Sequence, residues 1–153
     1  LNGQLGYSQM IGKSIALRLA ASGQASNDRL PASEQFTLGG DNIGRAFASG
    51  YVIGDRGFGG SGELAWVASP FWPALLKGSE IYGFADGGRL WTKARYGGLL
   101  PPQSYKLASA GGGVRLNFKR KTIVGLEAAR PLDLPYRNTT KKWRYVISWR
   151  SLY

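Results

Sequence analysis

The chain has no cysteine and no histidine among its 153 residues. This excludes disulfides, thiol nucleophiles, zinc sites of the Cys or His kind, and every triad that uses imidazole as a base. No apolar run approaches the ~20 residues a transmembrane helix needs. Barrel strands leave a much weaker hydropathy signal, so that absence bears on helices alone. Acidic side chains are scarce: nine Asp and Glu stand against 20 Lys and Arg, a formal net charge of +11. Such an excess points to nucleic acid, anionic lipid or acidic partners, or to a basic wall facing water. The chain starts at Leu1 without an initiator Met or a signal-peptide pattern, so a piece of a longer protein is expected.

Glycine is what the chain has in excess. It supplies 23 of 153 residues, against a usual share of roughly 7%. Strands and bends accommodate that much glycine; helices do not. One stretch stands out, Leu38-Gly39-Gly40-Asp41-Asn42-Ile43-Gly44-Arg45-Ala46-Phe47. It lies in a polar segment, residues 25–56, too long for an ordinary connection. Its arginine is a fork of five donors in need of a carboxylate. A candidate follows in Phe84-Ala85-Asp86-Gly87-Gly88. The expectation is that the loop folds back into a β-barrel and the Arg45 guanidinium meets Asp86 on its wall.

Period-2 alternation predicts six strands, at 11–24, 57–69, 81–91, 107–118, 122–130 and 142–153. Residues 1–8 read as a loop or the end of an earlier strand. In the first predicted strand Ile15, Leu17 and Leu19 share one face and Arg18 lies on the other; in the last, Tyr145, Ile147, Trp149, Ser151 and Tyr153 share a face. Connections alternate short, at 70–77 and 119–121, and long. Trp66, Phe71, Trp72, Trp91, Tyr96, Trp143, Tyr145 and Tyr153 fall near strand ends. Together these fit an outer-membrane barrel with two aromatic girdles. A soluble barrel or sandwich with core aromatics is the other reading of the same pattern.

Other motifs carry less. Gly57-Phe58-Gly59-Gly60-Ser61-Gly62 matches the dinucleotide-binding spacing but opens a strand, with no βαβ unit around it. Asn138-Thr139-Thr140 is a formal glycosylation sequon without meaning in a bacterial outer membrane. Asp41, Asp55, Glu63, Asp86 and Glu127 fall on different elements and form no obvious catalytic pair. The Lys141-Lys142-Trp143-Arg144-Tyr145 run suits single-stranded nucleic acid or the top of a strand at an interface, and the second reading is preferred.

Several motifs in order resemble the TpsB family, the outer-membrane transporters of two-partner secretion, also called haemolysin secretion/activation proteins and related to the barrel-assembly protein BamA. They are Leu30-Pro31, Glu34-Gln35-Phe36-Thr37-Leu38-Gly39-Gly40, the arginine tip, Gly54-Asp55-Arg56-Gly57, Gly62-Glu63-Leu64, the Phe84, Asp86 and Gly88 set, Ser109-Ala110-Gly111-Gly112-Gly113-Val114-Arg115, Glu127-Ala128-Ala129-Arg130-Pro131-Leu132, and the terminal aromatic. The family writes the tip as Val/Ile-Arg-Gly-Phe/Tyr; here it is Gly44-Arg45-Ala46-Phe47, a subfamily form.

The resemblance implies an all-β transmembrane barrel of about sixteen antiparallel strands, of which residues 1–153 are the C-terminal portion and the six predicted strands the last six. It makes 25–56 an extracellular loop folded into the lumen and leaves the periplasmic POTRA domains outside this chain. It implies a pore in the Gram-negative outer membrane, C-terminus periplasmic, that secretes an unfolded exoprotein without ATP. Implied partners are that exoprotein, outer-membrane lipid and the barrel-assembly machinery, with no nucleic acid, cofactor, metal or catalytic residue. Arg45 and Asp86 become a loop-to-wall clamp supported by Gly39, Gly40, Phe47, Phe84 and Gly88. Tyr145, Ile147, Trp149 and Tyr153 become the insertion signal. Arg18 and Arg115 would line a basic lumen that weakly holds acidic groups; Leu17, Val114 and Leu116 would face lipid. A barrel-assembly factor and a small complete barrel remain as alternatives.

Overall fold

The computed structural model describes residues 1–68, 77–94, 99–118, 122–136 and 140–151. The predicted turns at 70–76 and 119–121, the sequon residues Asn138 and Thr139, and Phe71, Trp72, Tyr96 and Tyr153 lie outside them. The main body is one antiparallel sheet of seven strands, ordered β1-β2-β5-β6-β7-β8-β9. These are β1 (Asn2–Ile11), β2 (Ile15–Gln24), β5 (Arg56–Val67), β6 (Glu80–Thr92), β7 (Gln103–Phe118), β8 (Thr122–Asp133) and β9 (Arg144–Ser151). Each strand pairs with its sequence neighbour, except that β2 and β5 are joined through the long loop. That loop carries a 3-10 turn (Ala32–Glu34) and a two-stranded hairpin of β3 (Phe36–Leu38) and β4 (Val52–Gly54).

Among the described residues the main sheet therefore has seven strands, not six. The segment predicted as one strand at 11–24 is split by a turn at Gly12-Lys13-Ser14, and residues 2–11 pair with β2 along their whole length. The sheet is not closed: β1 and β9 are its two ends. A small complete barrel would need these ends to pair, and they do not.

Register sorts the side chains into two unlike faces. One rung runs Ile11, Ile15, Trp66, Ile81, Val114, Leu126, Ile147 through all seven strands. Every member is apolar and the rung is uncovered; Ile81 is 51% and Ile147 77% exposed. Leu17 and Leu116 share this face, as period 2 requires. An apolar face this broad is suited to lipid rather than water. The opposite face carries Arg18, Glu63, Phe84, Asp86, Arg115 and Glu127, and the long loop lies over it.

The loop brings its own small core. Leu38, Ile43, Phe47 and Val52 pack on Leu90 and Leu107 of the sheet, with Phe36, Tyr51 and Tyr105 around them. Burying such side chains contributes about 1.5–3 kcal/mol each. At the loop's base Asp55 is fully buried and accepts N–H bonds from Leu30 at 2.9 Å and Lys93 at 2.8 Å, which joins the loop's start to β6.

Candidate functional site: the loop tip on the sheet

The tip is Gly44-Arg45-Ala46-Phe47, and three features of the wall receive it. The first is a pair of acceptors. Asp86 on β6 and Ser109 on β7 are register partners on the covered face. The Asp86 carboxylate accepts the Gly44 N–H at 2.7 Å and the Arg45 N–H at 3.3 Å. Ser109 donates its hydroxyl to Asp86 at 2.5 Å and accepts the Ala46 N–H at 3.3 Å. Three successive backbone donors are thus satisfied by one buried pair, which a buried turn requires. Gly44 reaches this position with φ +85°, and a Cβ there would lie 2.9 Å from Leu107 Cδ1. Glycine meets both demands.

The second feature holds the arginine side chain. Arg45 Nη1 donates to Glu63 at 2.9 Å and to Glu127 at 3.2 Å. Its guanidinium carbon lies 4.2 Å from the centroid of the Phe84 ring, a cation–π geometry. The clamp partner expected for the guanidinium is therefore corrected. Asp86 is occupied by the tip's backbone, and the Arg45 side chain runs on along the wall to Glu63 and Glu127, one and two rungs further.

Those carboxylates belong to a larger network. Glu63 also accepts Arg18 at 2.8 Å and Arg115 at 2.7 Å. Glu80 accepts Arg18 at 2.7 Å and Arg115 at 2.5 Å. Glu127 accepts the Tyr82 hydroxyl at 2.8 Å. Three arginines face three glutamates, so the wall around the tip is charge-balanced, not basic. A carboxylate on the lipid side would be costly, which explains why these side chains all fall on the covered face. Tyr82 and Phe84 pair across the sheet with Gly113 and Gly111. A Cβ at either glycine would lie within 3 Å of its partner ring. The rings thus lie over their neighbour strand and turn their faces to Arg115, at 3.7 Å, and Arg45.

The third feature is Arg144 at the start of β9. Its Nη1 donates to the carbonyls of Arg45 at 2.8 Å and Phe47 at 2.7 Å. Neither reading of the 141–145 run, single-stranded nucleic acid or the preferred interfacial strand top, includes this contact.

The remaining predicted residues are placed as follows. Gly39 and Gly40 both have positive φ, in the turn that returns toward Gly44. Phe47 is buried in the loop core, and Gly88 lies under Leu38. Tyr145, Ile147 and Trp149 stand together on the uncovered face of β9, each more than 70% exposed. The 57–62 glycine pattern lies wholly inside β5. Sequence reasoning missed Glu63 and Glu127 as partners of Arg45, the contact of Arg144 with the tip carbonyls, and Glu80 altogether. The one available signal was that Glu63 and Arg18 each fall on the polar face of their strands.

An antiparallel meander with one bare apolar face, and a long loop fastened over the other by buried polar groups, is consistent with part of an outer-membrane β-barrel wall. The chain belongs to the haemolysin secretion/activation family, outer-membrane transporters of two-partner secretion. The family described as "Haemolysin secretion/activation protein ShlB/FhaC/HecB" matches residues 1–116. The chain is also similar to the heme/hemopexin transporter protein HuxB of Haemophilus influenzae. It is 26% identical over 140 residues to that of strain Rd, covering 92% of this chain and 25% of HuxB. The HuxB of strain 86-028NP is 25% identical over the same length. The chain thus spans about a quarter of the length of these relatives. No solved structure matches it.

Proposed function

We propose that the protein containing this chain is a Gram-negative outer-membrane pore that passes an unfolded exoprotein to the cell exterior, and that the loop of residues 25–55 partly fills the pore and is fastened by the Arg45 tip. The observation that carries this reading is the anchoring of one tip by groups from five strands: Asp86 and Ser109 on its backbone N–H, Glu63 and Glu127 on its side chain, Arg144 on its carbonyls. A loop so held is a positioned part of the lumen. In this reading β1 to β9 form part of the barrel, the loop end faces outward and β9 runs from that end toward the periplasm.

The role is binding and gating, without catalysis. The carboxylates at the tip are each engaged by arginine, tyrosine hydroxyl, serine hydroxyl or backbone N–H, which leaves no unengaged acid–base pair there. The HuxB relatives are named for heme and hemopexin. For the protein containing this chain, polypeptide is the cargo we assign. The test compares the culture medium of cells with and without the full-length protein by quantitative proteomics. Loss of one large secreted polypeptide, with other outer-membrane barrels at normal levels, supports the reading. A general fall in outer-membrane barrels with no change in the medium would indicate barrel assembly and overturn it.

A further inference from the structure

The net charge of +11 has no home at the loop tip, where arginines and glutamates balance. Part of it gathers on the other face of the sheet, at the loop end. There Arg56 and Phe58 on β5 lie opposite Trp91 and Arg89 on β6. The Arg56 and Arg89 guanidinium carbons stand 5.5 and 5.2 Å from the centroid of the same Trp91 ring. Phe58 packs on that indole at 5.9 Å between centroids. Both arginines are exposed. Neither has a carboxylate partner among the described residues, and Arg89 has only a 3.4 Å bond to Ser104 Oγ.

Beside them opens a cleft of about 750 Å³ lined by Arg29, Arg56, Trp91, Lys93, Gln103 and Ser104, with Asp28 the one carboxylate among its described lining residues. Two cations that share one aromatic ring without a counter-ion repel each other, and an anion between them would relieve this. Guanidinium matches phosphate in geometry, with two parallel N–H bonds. The position adds the second half of the argument. Phe58 and Trp91 belong to the bare apolar face, at its end, where a barrel's aromatics meet lipid head groups.

We infer that Arg56 and Arg89, with Trp91 between the strands and Arg29 and Lys93 at the cleft, form a binding site for the phosphate of a membrane lipid head group on the outer surface of the barrel. The inference rests on the proposed orientation, with the loop end outward, and so assigns the site to a phosphorylated lipid of the outer leaflet. Arg56 and Arg89 take no part in fastening the loop tip. Their loss should therefore spare the pore.

The test uses the full-length protein purified in detergent, delipidated, and titrated with bisphosphorylated lipid A, its dephosphorylated form, or inorganic phosphate, followed by native mass spectrometry. The expected result is saturable retention of lipid A at least fivefold above the dephosphorylated form. Arg56→Gln/Arg89→Gln should lower it at least fivefold, with barrel insertion and conductance unchanged. Equal retention by the variant, equal retention of the dephosphorylated lipid, or full competition by inorganic phosphate at concentrations like those of the lipid would overturn the site. A cysteine at Ser33, labelled on intact cells by an impermeant reagent, separates the two failures. Labelling without lipid retention sinks only the site; no labelling sinks the orientation beneath it.

Discussion

Arg144 Nη1 lies 2.8 Å from the carbonyl oxygen of Arg45 and 2.7 Å from that of Phe47. One side chain at the sheet's end strand thereby fixes the two carbonyls that flank Ala46. Bonds from a charged donor contribute about 1.5–3 kcal/mol, and every ~1.4 kcal/mol is tenfold in an equilibrium. Arg144→Gln should raise proteolysis of the loop in the folded full-length protein by roughly tenfold or more. Heat-modifiable mobility on gels, a measure of barrel folding, should not change.

Asp86 and Ser109 act on the tip's backbone, so their loss should be felt by any residue at position 45. Asp86→Ala removes acceptors for two N–H groups and the partner of the Ser109 hydroxyl. It should open the loop more than Ser109→Ala, which frees the Ala46 N–H and removes one donor to Asp86 but leaves the Asp86 carboxylate on the Gly44 and Arg45 N–H groups. Limited proteolysis of the two variants, side by side, checks the order.

Gly44 and Gly50 separate backbone strain from crowding. Both have positive φ, +85° and +64°, but a Cβ at Gly50 meets nothing within 4 Å, whereas at Gly44 it meets Leu107 Cδ1. Left-handed backbone costs an L-residue roughly 1–2 kcal/mol. Gly50→Ala should therefore cost the loop about that much and Gly44→Ala clearly more. Equal opening free energies for the two variants would contradict the tip's packing.

The strand faces were legible because their periodicity survives in short-range order. Leu17 beside Arg18, or Val114 beside Arg115, needs only alternation to be sorted. β1 stays open between a loop and the end of a strand because Gln9 breaks its apolar face and Met10 its polar one, and Gly3 and Gly6 weaken both. β3 and β4, at three residues each, are too short for alternation to be read. The partner of Arg45 was misjudged for a different reason. Asp86 is a nearby carboxylate among glycines, and it does receive the tip. Which of its atoms reach the backbone, and how far the side chain then travels, depends on the docking of a loop across β5, β6 and β8. The same holds for Arg144, whose donors meet carbonyls about a hundred residues away in a chain that carries no local mark of that contact.

The sidedness of the sheet gives a further expectation. The turn at Gly12-Lys13-Ser14 and the loop of residues 25–55 lie at opposite ends of β2. If the loop end faces outward, a cysteine replacing exposed Ser33 should react with an impermeant thiol reagent on intact cells, and one replacing Lys13 should react only after the outer membrane is permeabilised. The reverse pattern would invert the proposed topology.

The fastening of the Arg45 side chain is tested most directly by two double-mutant cycles, read as the free energy of loop opening by native-state proteolysis of the full-length protein. Arg45→Gln is combined with Glu127→Gln in one cycle and with Asp86→Asn in the other. The hydrophobic cluster around Phe47 keeps the loop docked in the single variants, so opening stays measurable. Because the guanidinium bonds Glu127 at 3.2 Å while Asp86 takes backbone N–H groups and the Ser109 hydroxyl but not the guanidinium, the first cycle should show a coupling of about 1–3 kcal/mol and the second should be additive within about 0.5 kcal/mol. Coupling in the Asp86 cycle with additivity in the Glu127 cycle would contradict the account and return the guanidinium to Asp86.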